Sequence, residues 1–289
     1  MLPLSALMNS TECVVFDFDG TFTRVDEEAE PFVAAFRREL AEYVSRERIE
    51  RWDAALRMIE EAPERYGWEY DGAIVAPSHA DPYIRCTTIG QVLLTEEGIA
   101  GGRKREILEG LFKRCYPLTR TVFREDAKFV LEVLLGSGMP VFIISNSATD
   151  HVRMKIEALA PQGKSMLRVY GNARKFVVCE AEKPNPDFES LPSEMRVPGL
   201  ERPLLLRRGH YFDALKKVWD DTGARPERTL ICGDIFELDL AMPARLGTQV
   251  HLVARPGTPD YELRAARTSP GGGTSQELIG LLARLDLPG

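Results

Sequence analysis

The sequence predicts an α/β protein: a doubly wound, Rossmann-like, mainly parallel sheet, with an α-helical domain inserted after the first strand. Three features predict it. Short β-branched and aromatic runs at 13–16, 139–144 and 229–232 are almost wholly apolar, the pattern of strands buried on both faces. Segments with three- and four-residue apolar spacing alternate with those runs, as crossover connections between parallel strands require. Residues 24–119 carry mostly helical spacing, so the expected organisation is an α/β core from 1–23 and 120–289 around a helical domain at 24–119.

The first strand, Cys13-Val14-Val15-Phe16, runs into Asp17-Phe18-Asp19-Gly20-Thr21. Strand alternation sends Asp17 and Asp19 to one side, and Gly20 with Thr21 closes the strand in a turn. Two like charges at the rim of a buried sheet repel, so a cation is expected beside them. In the inserted block, Phe32, Ala35, Phe36, Leu40, Tyr43 and Val44, followed by Ile49, Trp52, Ala55, Leu56 and Ile59, predict a helical hairpin. The pattern breaks into Pro, Gly, Tyr and Trp over 62–98, and helix resumes over 103–116. Within the break, Trp68, Tyr70, His79, Asp81, Tyr83 and Arg85 read either as a substrate-facing segment or as a loop packed by its own aromatics.

A helix is expected over 123–135, then a strand over 139–144 that ends in Ser145-Asn146-Ser147 ahead of another helix over 150–159. A small hydroxyl at such a junction offers donors to an anion. Strands are expected at 166–170 and 176–179 around a Gly171-Asn172 turn, followed by a Pro-rich loop that holds Lys183-Pro184-Asn185-Pro186. Leu204-Leu205-Leu206-Arg207-Arg208-Gly209 leads into a helix over 211–219, whose Lys216 and Lys217 read as solvated surface. The strand at 229–232 ends in Gly233-Asp234-Ile235-Phe236-Glu237-Leu238-Asp239. That acidic run reads as metal-binding, or as a helix start in which Asp234 and Glu237 form a capping box. Pro243 should break the next helix, 249–254 is a last strand, and Pro270-Gly271-Gly272-Gly273 is a flexible link to a short helix over 276–285.

Composition narrows the function classes. A chain of 289 residues with 44% hydrophobic residues is ordinary globular material. The net charge of -7 argues against nucleic acid as the main partner, since phosphate backbones need clustered Lys and Arg. No apolar run reaches the length of a membrane span, and residues 1–8 lack the basic flank of a leader. The five cysteines have neither disulfide-framework nor zinc spacing, which points to a reducing, cytoplasmic setting. Nothing in the residues speaks to oligomeric state.

Asp17-Phe18-Asp19-Gly20-Thr21 behind an apolar strand resembles the first motif of the haloacid dehalogenase (HAD) superfamily. Ser145-Asn146 resembles its second motif, Arg208 or its neighbour Arg207 at a helix start its third, and Gly233-Asp234 with Asp239 its fourth, in family order. The resemblance implies a helical cap in the inserted block that selects the substrate. It implies Mg2+ held by Asp17, the Asp19 backbone carbonyl, and Asp234 with or without Asp239. It also implies Asp17 as nucleophile, Asp19 as general acid and base, and Ser145, the Asn146 backbone and Arg208 or Arg207 on the phosphate. A small phosphorylated metabolite is the expected substrate. A carboxylate at Asp19 argues for phosphomonoester hydrolysis over dehalogenation, with a phosphomutase or a non-catalytic phosphate-ligand binding protein as alternatives.

Overall fold

Cys13–Phe16 forms strand β1, whose four residues are all buried, and the chain then leaves for a helical segment. The structure is a computed structural model that describes residues 11–78 and 80–289, so the readings of residues 1–8 and of His79 lie outside the described residues. The chain divides into two compact units, one of residues 24–122 with 199–202, the other of the remaining segments.

The helical unit holds α1 (Val25–Glu28), α2 (Glu30–Leu40), α3 (Arg46–Glu50) and α4 (Trp52–Glu61), then an antiparallel hairpin of β2 (Gly67–Tyr70) and β3 (Ala73–Pro77), then α5 (Pro82–Glu96) and α6 (Gly101–Cys115). Its core joins Phe32, Phe36, Trp52, Ile59, Ile89, Leu93 and Leu111. The expected two-helix hairpin is not the main packing: its second arm is broken at Arg51 into α3 and α4, and both α2 and α4 pack on α5, with α2 also on α6. The segment read as irregular instead contains α5, fifteen residues long, capped by the Asp81 carboxylate, which accepts from Ile84 N at 2.7 Å. That helix is buried around much of its circumference, so it lacks the polar face that periodicity detects.

The second unit continues with α7 (Ala127–Gly136), β4 (Val141–Ile144), α8 (Thr149–Leu159), β5 (Arg168–Tyr170), α9 (Pro186–Glu189), β6 (Glu194–Met195), β7 (Leu204–Leu205) and α10 (Gly209–Thr222). It ends with β8 (Thr229–Gly233), a π-helical turn Phe236–Leu240, α11 (Ala241–Arg245), β9 (Gln249–Val253), α12 (Asp260–Thr268), β10 (Gly272–Ser275) and α13 (Gly280–Arg284). The six-stranded sheet runs β10-β9-β8-β1-β4-β5, parallel at every pair. This is the doubly wound α/β sheet the apolar strands predict. From β1 the chain steps outward through β4 and β5, then returns to the other side of β1 at β8, so the switch point lies beside β1. Phe16, Phe18 and Phe22 are fully buried in the core on this sheet, each contributing about 1.5–3 kcal/mol of transfer free energy.

Three local expectations fail. Residues 176–179 make only an isolated bridge, Cys179 to Arg208, because the chain there is engaged in positioning a side chain rather than extending the sheet. The Gly run is not a link: Gly272 and Gly273 belong to the edge strand β10, where a Cβ at Gly272 would stand 1.9 Å from the Ala266 carbonyl oxygen. Asp234 is also not the cap of the turn that follows β8: the N-cap is Ile235, which makes no side-chain cap hydrogen bond, and its N–H donates to Asp239 Oδ2 at 3.0 Å. No helix among the described residues is long and apolar enough to cross a membrane.

Candidate active site

Parallel pairing brings the ends of β1, β4, β5 and β8 to one carboxyl edge, where β1, β4 and β8 each end in a residue singled out by its chemistry. Asp17 follows β1, its backbone N–H bound to the Cys232 carbonyl at 2.8 Å, so it stands beside the end of β8. Asp234 follows β8, and Asp239 is turned back toward it by the π-helical turn. Asp17, Asp234 and Asp239 are all buried, with carboxylate oxygens within 4.8 Å of one another. Gly20, at φ +85°, makes room for this approach: a Cβ there would lie 2.1 Å from Asp234 Oδ2.

The cation expected beside Asp17 is Lys175. Its Nζ donates to Asp17 Oδ1 at 2.7 Å and to Asp239 Oδ1 at 2.8 Å, and it packs on the Tyr211 ring at 5.1 Å. The loop after β5 is sewn to the end of β4 to place it. Asn172 N donates to the Ser147 carbonyl at 2.8 Å, Ala173 N to the Ser145 carbonyl at 2.9 Å, and Lys175 N to Asn146 Oδ1 at 2.7 Å. Asn172 and Arg174 both take positive φ, which wraps the loop tightly round the strand end. Gly171 is required there, since a Cβ would meet Thr149 N at 2.2 Å.

Arg208 and Arg207 are engaged with the chain around Lys175 and Glu180. Arg208 is fully buried, but its Nη1 donates to the Lys175 carbonyl at 2.6 Å and its Nε to the Leu205 carbonyl at 3.0 Å. Its other nitrogen stands 3.7 Å from Glu237 Oε1, so it braces the loop that carries Lys175. Arg207 points away, paired with Glu180 at 2.6 Å and stacked over Phe188. A helix start marked the place of both arginines in the sequence, but a guanidinium that folds back on its own strand cannot be read from helix position.

Asp19 has its own shell. Lys155 Nζ donates to its Oδ1 at 2.7 Å, Ser147 Oγ to its Oδ2 at 2.7 Å, and Ser145 Oγ lies 3.5 Å from Oδ2. Ser145 and Asn146 are therefore both at the edge with the acids, Asn146 through its side chain on the Lys175 loop. Sequence reasoning did not find Lys155, although it occupies the buried stripe of α8 with Val152, Ile156 and Leu159.

The electrostatics favour a further cation. Burial pushes Asp17 well above the usual carboxylate range, Lys175 pulls it back, and Asp239, Asp234 and Asp19 push it up again. Burial would lower the Lys175 ammonium, but Asp17 and Asp239 outweigh that and hold it charged. Arg255 Nε sits 2.5 Å from Asp234 Oδ2, so three carboxylates face two cations. A hard cation suits this all-oxygen set, and the glycine cradle at Gly20 keeps Asp234 close enough to join it. Behind Asp234, the buried Glu262 accepts from Phe236 N at 3.2 Å.

No family model and no curated protein matches the chain. Solved structures do. A haloacid dehalogenase-like hydrolase from Bacteroides fragilis superposes with TM-score 0.53 at 16% identity, covering 94% of this chain and 100% of its own. A predicted phosphoglycolate phosphatase from Haemophilus somnus 129PT gives TM-score 0.50 at 14% identity, covering 96% and 98%. A haloacid dehalogenase-like family hydrolase from Xanthomonas campestris gives TM-score 0.50 at 11% identity, covering 96% of each. With its switch-point acids in place and those neighbours covering nearly the whole length, the chain has the fold of the haloacid dehalogenase superfamily hydrolases.

Proposed function

We propose that this protein is an Mg2+-dependent phosphohydrolase of the haloacid dehalogenase superfamily, acting on a small phosphomonoester through an aspartyl phosphate at Asp17. The observation that carries the reading is Asp17 itself: a buried carboxylate on Lys175 at 2.7 Å, within 4.8 Å of Asp234 and Asp239, two residues from a second, hydrogen-bonded acid. A purely structural network would match acids and cations one for one, whereas these three acids meet two cations, Lys175 and Arg255. Three acids at a sheet edge suit a site built to receive both a metal and a phosphate.

Asp17 and Lys175 would do separate work. An Asp17 oxygen attacks phosphorus and the bond to the ester oxygen breaks, its electron pair leaving with that oxygen. Asp19 gives its proton to the departing oxygen, releasing a neutral alcohol and leaving a carboxylate. Asp19 then takes a proton from the water that attacks the aspartyl phosphate, and the bond from phosphorus to Asp17 breaks. Inorganic phosphate departs and both acids are restored. Lys175, the Ser145 hydroxyl and the Asn146 backbone N–H would hold the phosphate oxygens, taking over the role that motif order assigns to Arg208 or Arg207. Asp17, the Asp19 carbonyl, Asp234 and Asp239 would hold Mg2+, which when bound offsets the charge of two anions brought together. Substrate choice is assigned to the helical unit, acting as a cap on a small phosphorylated metabolite.

The test is free phosphate release from a panel of small phosphate esters, with Mg2+ and with chelator, and with Asp17→Asn as control. Mg2+-dependent release that Asp17→Asn abolishes supports the reading. Interconversion of phosphate isomers without release would move it to a phosphomutase, and ligand binding with neither activity to a binding protein.

A further inference from the structure

Lys155 is an improbable residue for its position. It lies on the buried stripe of α8, between Val152 and Ile156 and Leu159, and its side chain is 7% exposed. A lysine placed there is strongly unfavourable unless a specific partner compensates. The compensation is Asp19, whose Oδ1 accepts from Lys155 Nζ at 2.7 Å, with the Phe18 ring 5.9 Å below the ammonium. The two Asp19 oxygens thus have different surroundings. Oδ1 is taken by Lys155, while Oδ2 faces the hydroxyls of Ser147 at 2.7 Å and Ser145 at 3.5 Å. Ser145 is a phosphate-holding group in the function proposed above, so Oδ2 is the oxygen on the phosphate side.

We propose that Lys155 is a positioning residue for the acid step: it anchors Oδ1 of Asp19 and thereby presents Oδ2, the proton-carrying oxygen, to the leaving group. The anchor serves both protonation states. A carboxylate accepts from the ammonium, and so does the carbonyl oxygen of the neutral acid, which leaves Oδ2 free to take up the proton in the first case and to carry it in the second. The serine hydroxyls on Oδ2 can donate to it or accept from it, so neither obstructs transfer. Asp19 is otherwise partly open to solvent, its side chain 23% exposed, and without the ammonium its carboxyl would turn between rotamers. The inference rests on the phosphohydrolase reading, in which the proton from Oδ2 passes to the ester oxygen as the phosphorus–oxygen bond breaks.

The test exploits a leaving group that needs no proton. The parent, Lys155→Met, Lys155→Arg and Ser147→Ala are compared by kcat/KM, with Mg2+ present, on an alkyl phosphate and on p-nitrophenyl phosphate. That ratio reports events up to leaving-group departure, so the later water step does not enter it. Lys155→Met should lower kcat/KM for the alkyl ester about 100-fold, the scale of a lost general acid, and for the nitrophenyl ester only about threefold. Lys155→Arg, which keeps the cation, should return the alkyl ester to within about tenfold of the parent. Ser147→Ala should lower the alkyl ester selectively by about tenfold, and it keeps the proposal testable if Lys155→Met does not fold. Equal losses on both esters, or no loss on either, would overturn the proposal while leaving the phosphohydrolase reading intact. A parent that hydrolyses neither ester, nor any other in the panel, would overturn both.

Discussion

Removing the Lys175 ammonium should cost this protein more stability than any exposed charge could, and a metal should return part of it. Lys175 is 1% exposed and shared between Asp17 at 2.7 Å and Asp239 at 2.8 Å. Lys175→Met keeps most of the volume but leaves two buried carboxylates without that cation, which for a broken buried pair costs about 3–5 kcal/mol. For a chain of this size that lowers the melting temperature by roughly 6–20 °C. A cation at Asp17, Asp234 and Asp239 would relieve the same repulsion, and saturation at about 100 times the dissociation constant adds ~2.7 kcal/mol. The assay is urea unfolding at neutral pH with Mg2+ and with chelator, beside Lys216→Met on the exposed face of α10, where a solvated pair with Asp220 is worth under about 1 kcal/mol. A Lys175→Met loss no larger than the Lys216→Met loss would refute the buried-pair reasoning.

Other outcomes follow from the same geometry. Burial, with Glu237 and Asp234 adding to it, pushes Glu262 up to about 8. The native state then holds a proton the unfolded chain has lost, so stability present in acid falls as pH rises from the ordinary carboxylate range to about 8, by up to ~1.4 kcal/mol per pH unit. Glu262→Gln should match the parent in urea at the acid end and exceed it at the alkaline end; parallel profiles would refute this. Gly20→Ala must adopt φ +85° and push on Asp234, so it should lose at least ~1–2 kcal/mol in thermal unfolding and weaken Mg2+ binding by calorimetry. Burial raises the Cys86 thiol to about 12 and the Cys115 thiol to about 11, and Cys13 and Cys232 are buried too. Native protein should therefore show one fast thiol to a disulfide reagent, at half-buried Cys179, and the other four only in denaturant.

What the sequence made legible and what it hid divide on a physical line. β1, β4 and β8 were legible because strands buried on both faces are continuous apolar runs, and the acids were legible because they follow those runs directly. Lys175 was not, because what places it is tertiary: Asn146 holding its N–H and Arg208 its carbonyl, across a loop of irregular backbone with no period to read. The helix α5 was hidden for the opposite reason, since Thr87 and Thr88 look like breaks in an apolar pattern. Their hydroxyls in fact bond back to the Tyr83 and Ile84 carbonyls at 2.8 and 2.9 Å and so can be buried in a helix. Arg208 shows the limit most clearly. Its charge and its place before α10 were correctly seen, but helix position does not reveal that its guanidinium reaches the Lys175 and Leu205 carbonyls.

The proposed reaction passes through a covalent phosphate on Asp17. The most direct measurement is a single-turnover acid quench with an ester labelled in its phosphate and Mg2+ present, followed by mapping of the labelled peptide. Transient label is expected on the peptide carrying Asp17, none with Asp17→Asn, and decay of the label as free phosphate appears. Phosphate released without label ever reaching Asp17 would contradict it.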